Sequence, residues 1–401
     1  MYDLIVVGGG PAGSMCARSA ALKGLDVLLL EKEKFPRTKL CGGALSPRVT
    51  ESLDFDISSI IHLELHHAIV YAPSGRKVVV NKEDAKGYLI KRNEFDHFLI
   101  QKAMEAGVTV LEGVKVQSIE QIRSGVRVLS HGDSFKSHLL VGADGVNSTI
   151  ARAVGIRNKW PPDRVALCIA ADIPLPPKEI ARILSSDGTY ENAAIEMYPW
   201  AVEHGYGWCF PKRDEISLGI GYKMKHQVLD LRTAWKKFVK KFETEKGIKL
   251  DLSFQSSYRV PLGRLDKRLS TRRTMLVGDA AGLVSPITGE GIHYAIRSGI
   301  IAGHVASEAV KDKNPPHVRM YEDRLKKEMN AEFSAANFVS NIAFKSEKKI
   351  ELICELAEND LILQDQMIDL VLGTRSISKI RMDLTMRLLR HYPRKAFRLL
   401  R

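Results

Sequence analysis

Cysteine is scarce and scattered: Cys16, Cys41, Cys168, Cys209 and Cys354 form an odd set without a C-x-x-C pair. That excludes a disulfide framework and provides no zinc or iron–sulfur site. Long hydrophobic runs are also missing. No stretch of 18 or more uncharged apolar residues occurs, so no spanning helix is expected. A basic leader with an apolar stretch and a small-residue cleavage site is absent, because Tyr2–Val7 already reads as a strand. The expectation is a location inside the cell. Neither an internal repeat nor a low-complexity tract interrupts the chain.

What the sequence has in excess is positive charge. Sixty Lys and Arg face 47 Asp and Glu, a formal net charge of +13. Nine of those cations fall between Arg375 and Arg401, against the single acid Asp383. Such a balance suits an anionic partner or a well-solvated basic surface. No recognition motif accompanies it, so nucleic acid is not expected as a partner. At 401 residues the chain is too long for one compact core and suits two or three subdomains.

Tyr2–Val7 is a nearly continuous apolar run, Ser14–Lys23 is rich in helix formers, and Asp26–Leu30 reads as a second parallel strand. Between the first strand and the helix stands Gly8-x-Gly10-x-x-Gly13, and Glu31 follows eighteen residues after the last glycine. Each part has a physical task. Gly8 permits the tight turn, Gly10 lets the backbone approach a pyrophosphate, and Gly13 allows the helix to pack closely on the strand. The helix N-terminus offers N–H groups and positive dipole to phosphates, and Glu31 can accept hydrogen bonds from ribose hydroxyls.

Further along, segments near 66–72 and 76–80 read as a hairpin and Arg92–Ala106 as an amphipathic helix. Strands are expected near 108–111, 114–120, 125–130 and 135–141. Short strands and turns dominate from 164 to 222, which predicts an antiparallel sheet. Thr274–Val277 resumes the buried-strand pattern, Gly289–Ala309 reads as a long helix, and helix prevails from about 317.

Met275-Leu-Val-Gly-Asp-Ala-Ala-Gly282 resembles the second fingerprint of the para-hydroxybenzoate hydroxylase-like flavoproteins. Val141-Gly-Ala-Asp-Gly-Val-Asn-Ser148 is similar to their internal GADG motif, and Arg92 to their helix-start arginine. Tyr206-Gly-Trp-Cys-Phe-Pro-Lys212, Lys39-Leu-Cys-Gly-Gly43 and Leu283–Ile292 resemble segments of the geranylgeranyl reductase family within that superfamily. The resemblance runs from residue 1 to about 300.

It implies an α/β (α+β overall) chain with a Rossmann-type FAD-binding domain, an antiparallel-sheet substrate domain and a helical C-terminal region. The expected divisions are 1–60, 86–155 and 270–310 for FAD, 61–85 and 156–269 for substrate, and 311–401 for the helices. The implied activity is saturation of C=C bonds in geranylgeranyl chains carried by a membrane glycerophospholipid, with reduced FAD as hydride donor. Implied FAD contacts are Gly8, Gly10, Pro11, Ala12, Gly13, Glu31, Lys32, Cys41, Gly42, Arg92, Ala143, Asp144, Gly145, Gly278, Asp279, Gly289, Gly291 and Ile292. The helix after Gly289 would aim its positive end at the flavin.

Tyr206, Trp208 and Phe210 alternate along a strand and so face one side, as a wall for an isoprenoid chain or as ordinary core. Cys41, Tyr206 and Trp208 are the candidate catalytic residues. Cys41 is otherwise a small core filler, Arg92 a surface ion pair and Asp144 a turn residue. For the proton that must reach the second alkene carbon, Cys41, Tyr206, Glu290 and His293 are candidates, as are water and the flavin itself. The mixture of Leu, Phe and Arg in 387–401 suits an anionic membrane surface, making the expected location cytoplasmic and peripheral to a membrane. The electron donor is open between a nicotinamide cofactor and an acidic ferredoxin.

Three other activities share parts of this pattern. A flavin monooxygenase would carry the same nucleotide motifs, but Tyr206–Lys212 and Cys41–Gly43 favour the reductase. A halogenase differs at Tyr206 and Phe210. An electron-transfer flavoprotein of the quinone-linked type would need a cysteine cluster near its C-terminus, where only Cys354 stands, which leaves a cluster-free relative.

Overall fold

A computed structural model describes residues 1–81, 87–226, 230–266, 268–312 and 318–400. The expected junction at residues 85 and 86, the onset of helix at 317, and Arg401 lie outside these residues.

Two seven-stranded sheets and a three-stranded one organise the chain. In the first sheet, Tyr2–Val7 lies between Val27–Glu31 and Ser134–Gly142, parallel to both. Thr109–Glu112 extends it in parallel on one side, and Thr274–Leu276 pairs in parallel with Leu140–Gly142. All four residues Leu4–Val7 are buried, as expected of a strand covered on both faces. Strands Ser118–Ile122 and Gly125–Leu129 close the edge as an antiparallel hairpin.

Helices Pro11–Ala21 and Ile292–Lys311 cross the sheet against each other. Their backbones meet at Gly299, where a Cβ would stand 2.2 Å from the Ala12 carbonyl oxygen. Only glycine permits that approach.

The second sheet runs in the order Gln255–Pro261, Val165–Pro174, Glu215–Lys223, Gly205–Lys212, Ile195–Tyr198, His67–Tyr71, Lys77–Asn81. The expected hairpin near 66–80 is the outer pair of this sheet. Its pairing with Ile195–Tyr198 is parallel, the one departure from the antiparallel expectation. A parallel pair needs a long crossover, and the intervening chain supplies it by passing through the first sheet. Two of the strands, Val165–Pro174 and Glu215–Lys223, are also longer than the short strands expected.

Behind this sheet lies Leu231–Lys246, a helix the sequence reading did not resolve. It buries Leu231, Ala234, Trp235, Phe238, Val239 and Phe242, a plain 3–4 period. Residues 320–400 form five helices, in line with the expectation. No helix of the described residues is long and apolar enough to cross a membrane.

Candidate functional site

The glycine-rich turn has the shape a dinucleotide requires. Gly8 turns with φ +107°, and a Cβ there would lie 2.3 Å from the Ala143 oxygen. At Gly13 a Cβ would stand 1.8 Å from the Gly8 oxygen, which seals helix against strand. At Gly10 only an Arg37 nitrogen comes near, at 3.7 Å, so that face of the turn is open. Glu31 accepts the Gly9 N–H at 2.7 Å and the Glu33 N–H at 3.0 Å, which fixes its carboxylate beside the turn. This cradle and its acid fit the pyrophosphate and ribose of FAD.

A cavity of about 350 Å³ begins next to this turn and runs between the two large sheets. Pro11, Cys41, Gly42, Arg92 and Asp279 stand in its wall near the turn, with Gly289, Gly291 and Ile292. Tyr206, Trp208 and Phe210 line its far side from the strand Gly205–Lys212. The structure therefore brings residues from six distant segments to one space.

The cavity helix starts at Ile292 rather than at Gly289, because Gly289 has φ +72° and cannot continue a right-handed turn. Gly289–Gly291 form the preceding loop, and no side chain caps the helix. Its first N–H groups therefore lack intrahelical partners and face a cavity wall.

Arg92 is buried, 6% exposed, and its guanidinium grips Asp96 through two bonds of 2.8 Å. The surface ion-pair reading of Arg92 is thus replaced by a buried one. Burial alone would raise the Asp96 carboxyl, but Arg92, with Arg37 and Lys39 behind it, holds it below the ordinary range. The Cys41 thiol lies against the same Arg92 guanidinium.

Other expected residues stand apart from the cavity. Asp144 accepts from the Ser148 hydroxyl and from the Thr149 and Ile150 N–H groups, so it caps Thr149–Ala153. Ala143 packs under Gly8, and Gly278 packs against Ala12. Gly145 turns with φ +77°. Lys32 is on the surface, 3.6 Å from Glu33.

Tyr206 donates to the Thr288 carbonyl at 2.7 Å, and burial pushes its phenol up. Trp208 covers Gly219, where a Cβ would be 2.2 Å from its ring. Phe210 lies over Gly42, where a Cβ would meet the ring at 2.6 Å.

Two proton-donor candidates are removed by their surroundings. Glu290 is engaged by the Ser46 hydroxyl and by Arg48 at 2.8 Å. His293 is outside the cavity wall, and burial, together with Arg48 and Arg297, lowers its pKa to about 3. It is therefore neutral at ordinary pH.

Sequence reasoning missed Arg37, Lys39 and Asp96. Arg37 bridges Asp96 at 3.1 Å and Glu31 at 3.9 Å, and Lys39 faces Asp279 at 3.7 Å. Asp96 carried a usable signal, its i,i+4 spacing from Arg92. Arg37 sits in a loop without periodicity and carried none.

Fold and cradle together define a flavoprotein of the two-domain oxidoreductase class. The family described as FAD binding domain matches residues 1–317. Digeranylgeranylglycerophospholipid reductase of Methanococcus vannielii is 31% identical over 340 residues, covering 81% of this chain and 82% of that protein. Geranylgeranyl diphosphate reductase of Rhodobacter capsulatus is 29% identical and covers 89% and 88%. Among solved structures, a geranylgeranyl bacteriochlorophyll reductase-like protein from Thermoplasma acidophilum superposes with a TM-score of 0.81 at 23% identity, over 99% and 98% of the chains. The L111Y mutant of halogenase PltM in complex with FAD shares the fold at TM-score 0.73 and 16% identity, over 99% and 94%. The chain belongs to the FAD-binding oxidoreductases and, among them, to the geranylgeranyl reductase family.

Proposed function

We propose that this protein saturates C=C bonds of geranylgeranyl chains carried by a membrane glycerophospholipid. The observation that carries the reading is the single cavity joining the Arg92–Asp279–Gly291 wall to the aromatic strand Tyr206–Phe210. An isoprenoid has no polar handle, so shape and apolar contact must orient it. Bound FAD, once reduced, supplies hydride.

The residues divide the remaining work. Glu31 and the Gly8–Gly13 turn would hold the adenosine diphosphate half of the cofactor, with Pro11 and Ala12 opening the helix beneath it. Arg92, Asp279, Gly42, Gly289, Gly291 and Ile292 would surround its flavin half. The uncapped N-terminus of Ile292–Lys311 stabilises negative charge there. Trp208 and Phe210 wall the chain, and Tyr206 holds the loop at Thr288. With Glu290 and His293 set aside and the Tyr206 hydroxyl engaged by Thr288, Cys41 in the cavity wall would deliver the proton from its Sγ. Arg92 stands ready to balance the thiolate left behind. Ala143, Asp144, Gly145 and Gly278 act from beneath, by shaping the turns.

A lipid substrate requires contact with a bilayer. Met382, Met386, Leu389, Phe397 and Leu400 are exposed among the arginines of the last two helices, which suits an interfacial surface. Ala396 and Leu399 are buried, so charge reversal of exposed residues tests this better than deletion of 387–401.

Anaerobic photoreduction followed by addition of a digeranylgeranyl phospholipid tests the activity. Flavin reoxidation with a lipid heavier by hydrogen pairs supports the reductase. A flavin that stays reduced until oxygen is admitted, and then oxygenates an aromatic acceptor, makes the protein a monooxygenase.

A further inference from the structure

A second cavity, of about 180 Å³, lies among the C-terminal helices and reaches Ile287 in the loop before Ile292–Lys311. Leu356, Leu363, Leu384, Leu388 and Leu399 wall it. It adjoins the main cavity, for Ile287, Ala343, Ile353, Met367 and Leu370 line both spaces. The flavin-side cavity is thus continued, across one apolar partition, by a chamber beneath the exposed apolar residues of Ile377–His391 and Pro393–Leu400.

Three polar side chains interrupt this apolar chamber: Thr385, whose hydroxyl donates to the Arg381 carbonyl at 2.8 Å, Arg381 and Gln366. Arg381 lines it, its guanidinium 5.7 Å from the centre of the half-exposed Phe338 ring. No carboxylate among the described residues pairs with it, although its neighbours Arg375 and Arg387 are both paired with aspartates. Gln366 is only 6% exposed, lines the same chamber, and its Oε1 has no hydrogen-bond partner. A buried amide oxygen without a partner destabilises a fold, because it has lost water and gained nothing in return. An arginine without a counter-ion and an amide without a partner, in a greasy chamber, are complementary to an amphiphile rather than to a hydrocarbon.

Resting on the reductase reading, we infer that this chamber admits the geranylgeranyl lipid and seats its phosphate-bearing headgroup end, on Arg381 and Gln366. The chain then runs past Ile287 and Ala343 to the flavin side. The amide of Gln366 meets the polar junction between headgroup and chain, and Arg381 meets the phosphate. Seating the head at the chamber places the far end of the chain nearest Tyr206 and Trp208.

The test compares three ligands, geranylgeranyl diphosphate, digeranylgeranylglyceryl phosphate in mixed micelles, and headgroup-free geranylgeraniol. Calorimetry reads binding to FAD-loaded wild type, Arg381→Glu and Gln366→Leu, and flavin reoxidation reads turnover separately. Arg381→Glu should weaken a phosphate-bearing ligand about tenfold and leave geranylgeraniol within about twofold. Gln366→Leu should raise the melting temperature, since a buried unpaired group is lost, while weakening the same ligands. A response confined to the diphosphate or to the glyceryl phosphate identifies which headgroup is seated.

Equal weakening of all three ligands by Arg381→Glu, or no weakening of any, overturns the assignment. So does a Gln366→Leu protein that is stabilised yet binds every ligand like wild type. Ligand bound with this pattern but never reduced by wild type would instead remove the reductase reading and leave the binding chamber standing.

Discussion

The Tyr206 hydroxyl donates a 2.7 Å hydrogen bond to the Thr288 carbonyl, tying the aromatic strand to the loop that precedes the cavity helix. The phenol is partly buried and its ionisation is pushed up by that burial, so its proton stays with the carbonyl. Tyr206→Phe should loosen the loop by about 1 kcal/mol, the usual net worth of one such bond. FAD affinity and kcat are expected to fall only severalfold. A general acid would lose about a hundredfold or more. Stopped-flow reduction of lipid by the variant separates the two outcomes.

Arg48 connects three parts of the protein. It holds Glu290 at 2.8 Å and Glu332 at 2.9 Å, and Glu332 in turn accepts the Ile377 N–H. All three side chains are largely buried. Arg48→Met would leave two carboxylates unpaired, a loss of about 3–5 kcal/mol. Urea unfolding should show it, and Glu290→Gln in the same chain should restore part. An unchanged midpoint would mean that the network is dispensable.

Gly42 supports the aromatic wall by having no side chain. A methyl group there would meet the Phe210 ring at 2.6 Å, so Gly42→Ala must move the ring. Overpacking of this kind destabilises by about 1–3 kcal/mol. The lipid KM is expected to rise with FAD still bound, and Phe210→Ala beside it should relieve the clash. A crystal structure of the single variant with Phe210 unmoved would contradict this.

His293 makes stability depend on pH in a defined direction. Its folded pKa is lowered to about 3, while in the unfolded chain it titrates near 6.5. Below about pH 6.5 the unfolded state binds a proton that the folded state refuses. Stability is therefore full above that pH and declines toward pH 3, by about 1.4 kcal/mol for each pH unit from this group. His293→Gln should flatten the melting temperature over that window. Parallel profiles for both proteins would show that His293 is not buried as described.

The turn Gly8–Gly13, the acid Glu31 and the buried strands were readable because each is a local pattern with a local cause: backbone approach, charge, apolar continuity. The alternation of Tyr206, Trp208 and Phe210 likewise followed from strand geometry. The helix Leu231–Lys246 was readable too, its period plain once looked for. Tertiary structure alone decided the rest. The parallel pairing of His67–Tyr71 with Ile195–Tyr198 depends on segments about 125 residues apart, and no local period encodes such a contact. Glu290 and His293 were fair proton donors by residue type. The ion pair with Arg48 removed Glu290, and burial, with Arg48 and Arg297 nearby, removed His293. Residue type sets what a side chain can do, and the charges packed around it decide whether it does so.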